Sequence, residues 1–292
     1  MELGRFGVWT SALDVQPATA ARGLAAEIES LGFGSVWFPE ALRREAFANA
    51  SLLLGATSRI VVATGIANIY ARDAFTTAAG WRTLTEAYPE RFLLGLGVSH
   101  IPSVEGIRGH TYGPPVATMS RYLDAMAAAP YQGAPPSTDL QLVLAALGPK
   151  MLQLAATRSL GAHSYFVPVA HTRAAREIMG PAAFLAVEQA VVLETDAARA
   201  RAIARAHTSN YLRLQNYANN LRRLGFAEVD MGDGGSDVVV DALVAWGELD
   251  QITARLHAHL EAGADHVCIQ VLGADPQQPP ADQWRRLAAC LL

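Results

Sequence analysis

Short runs of apolar, often β-branched residues recur along this chain, each followed by a segment whose apolar positions return every three or four residues. The first pattern marks strands buried on both faces, and the second marks helices with one buried side. Residues 59–100 show the unit most plainly. Ile60-Val-Val-Ala-Thr-Gly65 reads as a buried strand, 66–72 as a loop, and Asp73 as the cap of a helix over 74–88 that Pro89 stops. Phe92-Leu-Leu-Gly-Leu-Gly-Val-Ser-His100 is the next strand, ~30 residues on, as a right-handed crossover between parallel strands requires. Both strands leave at one carboxyl edge, where α/β proteins bind ligands.

The same alternation predicts strands at 6–9, 35–40, 141–146, 163–167, 187–193 and 266–272. Helices are expected at 19–30, 45–58, 116–129, 149–159, 196–223 (one helix or a pair), 238–246, 250–262 and 283–292. Eight β-then-α alternations without a break in composition predict one α/β domain over 1–292, a (β/α)8 TIM barrel with a helical insertion before the last strand. An open doubly wound sheet is the alternative, but the first strand lacks a Gly-rich dinucleotide fingerprint.

Composition narrows the function classes. The net charge of −4 comes without a basic cluster, which argues against nucleic acid. Cys268 and Cys290 have no metal-ligand spacing and read as reduced thiols, and no metal is expected. No apolar run reaches membrane-spanning length, and the chain opens into a strand without a charged and apolar leader. A cytoplasmic protein acting on a small molecule, away from membranes, is the expectation.

Three places carry candidate chemistry. Glu40 and His100 close the second and fourth strands, so a carboxylate and an imidazole face one mouth, a workable acid/base pair. Glu40 is otherwise a strand-end acid for Arg43 or Arg44. Ala145-Ala-Leu-Gly-Pro-Lys150 joins the fifth strand to its helix; it is either an ordinary βα turn with a solvated lysine or an anion site made by the free N–H groups, the helix dipole and Lys150, the only lysine. Thr64-Gly65-Ile66 ends the third strand. Trp9, Trp37 and Phe38 are core residues or an apolar wall for a planar ligand.

With these residues the chain resembles the luciferase-like monooxygenase superfamily, in its branch of coenzyme F420 (deazaflavin)-dependent oxidoreductases. The resemblance runs over nearly the whole chain. It is strongest in Leu31-Gly-Phe-Gly-Ser-Val-Trp37, residues 64–72, Pro89-Glu-Arg-Phe-Leu-Leu-Gly-Leu-Gly97, residues 145–156 and Ala262-Gly-Ala-Asp-His266. It implies a TIM barrel of the bacterial luciferase type, a cis Gly65-Ile66 peptide behind the deazaflavin ring, and a dimer. By the same resemblance the cofactor is F420, with FMN as the alternative. It would contact Gly65, Ile66, Ala67, Val98, Ser99, Ala145, Ala146, Leu147, Gly148, Pro149 and Lys150. The implied reaction is hydride transfer between F420 and an organic substrate; the residues themselves suggest that His100 moves the accompanying proton with Glu40 in support, or the reverse. An FMN-dependent monooxygenase and a non-catalytic ligand-binding barrel are the alternatives. One departure stands out. The superfamily's sugar-phosphate dehydrogenase has Asp-His at the second strand and Gly-Glu at the fourth, where this chain has Pro39-Glu40 and Ser99-His100. The loop Val167-Pro-Val-Ala-His171 also lacks that enzyme's phosphate-binding lysine, so its substrate does not carry over.

Overall fold

Eight parallel strands close on themselves in the computed structural model, which describes residues 1–292. In chain order the strands are β1 (Phe6–Trp9), β2 (Ser35–Phe38), β3 (Val61–Thr64), β4 (Ala67–Asn68), β5 (Phe92–Gly97), β6 (Gln141–Ala145), β7 (Gly161–Ser164), β8 (Phe184–Val192), β9 (Val244–Trp246) and β10 (His266–Val271). The barrel runs β1-β2-β3-β5-β6-β7-β8-β10, and β10 pairs with β1 to close it. The two short strands lie outside this ring, β4 beside β5 and β9 beside β8. The fold is therefore a TIM barrel of the luciferase-like type, and the open sheet is excluded by the β10–β1 pairing.

Helices α1 (Ala18–Ser30), α2 (Ala46–Leu54), α3 (Ala74–Ala87), α4 (Pro115–Ala128), α5 (Pro149–Arg158) and α6 (Val169–Met179) follow the first six barrel strands. After β8 come α7 (Ala197–Leu212), α8 (Gln215–Arg223), α9 (Asp237–Leu243) and α10 (Leu249–Glu261), and α11 (Ala281–Leu291) closes the chain. Local chemistry sets several starts. Asp73 Oδ1 accepts from Thr76 N at 2.8 Å, Glu45 Oε2 from Ala48 N at 2.7 Å and Asp196 Oδ1 from Arg199 N at 2.9 Å. Each satisfies one of the N–H groups that a helix start leaves unpaired.

The strands alternate as the pleat demands. On β2, Val36 and Phe38 pack outward against the helices, while Ser35 and Trp37 point into the barrel. Trp9, Val61, Ala63, Leu93, Val143, Ala186 and Cys268 fill the interior with Trp37. The polar groups among them are paired. His266 Nδ1 donates to Gly4 O at 2.9 Å, so Nε2 is the acceptor for Ser35 Oγ at 2.9 Å and Trp37 Nε1 at 3.2 Å. A Cβ at Gly7 would lie 2.1 Å from Ser35 Oγ, so only glycine leaves room for this network.

The differences from expectation have local causes. The segment 168–183 gave no helix signal, yet α6 forms there, because its buried face is His171, Thr172, Ala175 and Met179 rather than large aliphatics. The expected helix over 238–246 stops at Leu243, and Val244-Ala-Trp246 turns into a strand against Ala190 to Val192 of β8. Residues 196–223 divide into α7 and α8 at Arg213-Leu214. Strands β2 and β5 are shorter than their apolar runs. Pro39 follows the first, and Ser99 at φ 56° turns the chain after the second, so Glu40 and His100 stand beyond the strand ends. No helix is long and apolar enough to cross a membrane.

Candidate functional site

Two adjoining cavities of about 480 and 510 Å3 open at the carboxyl edge of the barrel. Ile66, Ser99, His100, Ala145, His163, Tyr165 and Tyr217 line both, so they are two lobes of one bent cleft. The first lobe runs between Trp9, the segment after β2 (Leu42, Arg43) and the segment after β5 (Ile107, Arg108). The second lies over the β6–α5 turn and under α8.

At the end of β3 the Gly65-Ile66 peptide is cis. Trp9 Nε1 donates to Gly65 O at 3.2 Å, and Ile66 projects between β3 and β5. A Cβ at Gly97 would sit 2.4 Å from Ile66 Cδ1, so the glycine-rich run of β5 makes the space that Ile66 fills.

The β6–α5 turn is latched from behind. Ser164 Oγ donates to Ala146 O at 3.0 Å, and His171 Nε2 on α6 donates to Leu147 O at 3.0 Å. With these carbonyls turned away, the N–H groups of Leu147, Gly148 and Lys150 have no acceptor within the chain. Gly148 caps α5 without a side-chain bond, and Pro149 occupies the first turn. Lys150 and Arg223 line the same lobe, and Arg223 Nη2 would lie 3.6 Å from a Cβ built on Gly148. No carboxylate pairs with either cation, so two positive side chains meet the positive end of a helix dipole. That arrangement is relieved by an anion.

His100 is half-buried. Its Nδ1 lies 3.1 Å from Asn216 Oδ1 on α8, so that nitrogen carries the proton and Nε2 presents a lone pair without a protein partner. Burial lowers its pKa below the ordinary histidine value, against the opposing pull of Asn216. Glu40, expected to pair with His100, makes no hydrogen bond to it. Glu40 lines the first lobe, but its oxygens are taken: Ala46 N donates to Oε1 at 3.1 Å, Asn68 N to Oε2 at 2.8 Å, and Arg72 pairs with both. Arg43 and Arg44 bind backbone carbonyls of the Ser11 to Gln16 segment instead. Glu40 therefore anchors the loop after the cis peptide, and this corrects its reading as the proton-handling partner of His100.

Of the other sequence-chosen residues, Gly65 and Ile66 line the first lobe, and Ile66, Val98, Ser99, Ala145, Ala146, Leu147, Gly148, Pro149 and Lys150 line the second. Ala67 does not; it is fully buried in β4. Trp9 forms cleft wall, whereas Trp37 fills the barrel and Phe38 packs under the helices. The sequence reading missed the lid. Tyr165 hydrogen-bonds Tyr211 and Gln270, both at 2.9 Å, and Tyr217 packs 5.3 Å from Phe166, so the insertion seats its aromatics over the barrel mouth. The aromatic spacing of Tyr211 and Tyr217 on a predicted helix was the available signal. No group of three or more His, Cys, Asp and Glu is placed to hold a metal ion.

Fold and site together define a TIM barrel whose cleft has unpaired N–H groups and two cations at one end and an imidazole where its lobes meet. The chain matches the luciferase-like monooxygenase family over residues 1–266 and belongs to it. A Mycobacterium tuberculosis protein, provisionally named coenzyme F420-dependent oxidoreductase Rv3520c, is 31% identical over 125 residues. That match spans 42% of this chain and 35% of the mycobacterial protein. Among solved structures, an F420-dependent secondary alcohol dehydrogenase in complex with an F420-acetone adduct superposes with a TM-score of 0.78 at 14% identity, over 100% of this chain and 98% of that one. The oxygenating constituent of 3,6-diketocamphane monooxygenase from Pseudomonas putida, in complex with FMN, gives 0.72 at 15% identity over 97% and 95%. At these identities the likeness is one of fold.

Proposed function

We propose that the protein is an F420-dependent oxidoreductase that moves a hydride between the cofactor and an organic substrate. The observation that carries this is the bent cleft. A turn with free N–H groups and two cations lies at one end, a neutral imidazole stands where the lobes meet, and the cleft suits a planar ring with a phosphate-bearing tail. The mycobacterial relative supports F420 over FMN. The residues present fit the group: the free N–H groups of Leu147, Gly148 and Lys150, with the Lys150 and Arg223 side chains, would hold the tail's phosphate, and Ile66 and Ala145 would meet the ring.

Bound F420 supplies a two-electron carrier that gives or takes hydride. The protein's share is to place the substrate carbon in the first lobe and to handle the accompanying proton. His100 Nε2, with its lone pair free, is suited to take a hydroxyl proton as hydride leaves the same carbon, the direction of alcohol oxidation. Asn216 fixes the imidazole's tautomer, and Tyr165, Tyr211, Tyr217 and Leu214 shield the lobe from water. Glu40, through Arg72 and Asn68, steadies the loop behind Ile66.

The anion site has its own test. Lys150→Ala with Arg223→Ala should weaken F420 binding by ~1–2 kcal/mol, flatten its salt dependence and leave a residual affinity from the backbone N–H groups. Fluorescence titration at low and high salt reads this. An affinity equal to the parent's at low salt would remove the phosphate from this turn. A screen of secondary alcohols, followed by the loss of oxidised deazaflavin absorbance, tests the chemistry.

A further inference from the structure

His163 lies on β7 inside the barrel, 1% exposed, and neither of its ring nitrogens makes a hydrogen bond of good geometry; the Ala186 backbone offers one of them a marginal contact, and the other has none. Trp37 stacks on it at 4.6 Å and 22°, which fixes the plane of the imidazole. Its Nε2 would lie 3.1 Å from a Cβ built on Gly65, beside the bulge that Ile66 makes. Burial and the neighbouring His266 hold its pKa down to about 3, so the ring is neutral and carries one donor and one acceptor. Buried groups of this kind are almost always paired. The other interior histidine, His266, obeys that rule with Gly4, Ser35 and Trp37. His163 keeps at least one nitrogen without a partner, and it lines both lobes of the cleft.

Its position decides what the missing partner is. A substrate occupies the first lobe and the phosphate tail the second, so the group that spans both is the ring. We infer that His163 is a ligand of the cofactor's ring system, with an imidazole nitrogen hydrogen-bonded to a polar heteroatom of the bound heterocycle. This rests on the cofactor reading above and adds to it the residue that reads the ring from below. Because that nitrogen is unpaired without the ring, it lowers the stability of the empty protein and regains its bond on loading.

The test compares wild type, His163→Phe and His163→Asn by fluorescence titration with F420, the absorbance spectrum of the bound cofactor and the melting temperature of the empty protein. Phenylalanine keeps the stack on Trp37 and removes the polar atoms. It should weaken F420 binding ~10-fold and shift the bound spectrum, while the empty protein melts no lower than wild type. Asparagine should recover most of the affinity and the spectrum. A Phe variant with wild-type affinity and spectrum would overturn the assignment. So would a loss of affinity in both variants that tracks a fall in melting temperature, because that is the mark of a packing role. If the Phe variant does not fold, His163→Ala takes its place, and it must lose what Asn retains. A wild type that binds neither F420 nor FMN would instead remove the cofactor reading itself.

Discussion

Replacing His100 by alanine lowers turnover by ~10²-fold or more and leaves F420 affinity within a few-fold of the parent. The separation of the two effects follows from where the side chain stands. His100 reaches the junction of the lobes from beyond β5, but the anion-binding turn is built by β6, α5, β7 and α6 without it. In the proposed reaction only the proton step would lose its acceptor. The pH profile carries the same information with a defined sign. A proton acceptor must be neutral, and burial has lowered the pKa of His100 below 6.5. Turnover in the alcohol-oxidising direction should therefore be level above pH 7 and fall on the acid side, through a pKa below 6.5. A profile that falls through neutrality as pH rises would assign His100 the opposite role. A variant with full turnover would dismiss it from the chemistry.

Acidification destabilises the protein steeply below pH 6.5. His163 and His259 are held down to about 3, and His171, His207 and His266 to about 4, each first by burial. They are neutral when folded and take up a proton on unfolding at any pH between those values and 6.5. Two acids oppose them. Burial raises Glu188 to about 8 and Asp14 to about 6, so both keep a proton in the folded state that they lose on unfolding. Between pH 6 and 4.5 the five histidines outnumber the two acids by three protons. Stability then falls by ~4 kcal/mol for each pH unit of acidification. Above pH 6.5 the histidines no longer contribute and Glu188 alone tilts stability the other way, downward as pH rises toward 8. Maximum stability is expected near pH 6.5. Urea denaturation across pH 4.5–8 measures it, and a flat acid limb would mean that these histidines are solvated when folded.

The barrel was legible because parallel strands buried on both faces are written as continuous apolar runs, and because Asp73, Pro149 and the glycines mark the turns between elements. The β6–α5 turn was legible for the same reason: Gly148-Pro149-Lys150 is local in sequence. What escaped was whatever depended on distant partners. Glu40 looked like half of an acid/base pair until Arg72, 32 residues on, took its carboxylate. His163 reads as an ordinary strand residue, and only the closed barrel puts Trp37 beneath it and both lobes above it. Helix α6 was unread because histidine, threonine and alanine form its buried face. The lid of Tyr211, Leu214 and Tyr217 could be placed on helices but not over the mouth, since the insertion's docking rests on contacts with Tyr165 and Phe166 of the barrel.

The central claim, that this cleft takes a deazaflavin, is tested most directly by titrating the purified protein with F420 and, separately, with FMN, following the fluorescence of each. The account predicts saturable one-to-one binding of F420, weaker or no binding of FMN, and release of F420 as salt weakens the hold on its phosphate tail. Tighter binding of FMN would contradict the F420 assignment and move the protein to the flavin monooxygenases of its family, and binding of neither would leave the barrel without the cofactor proposed for it.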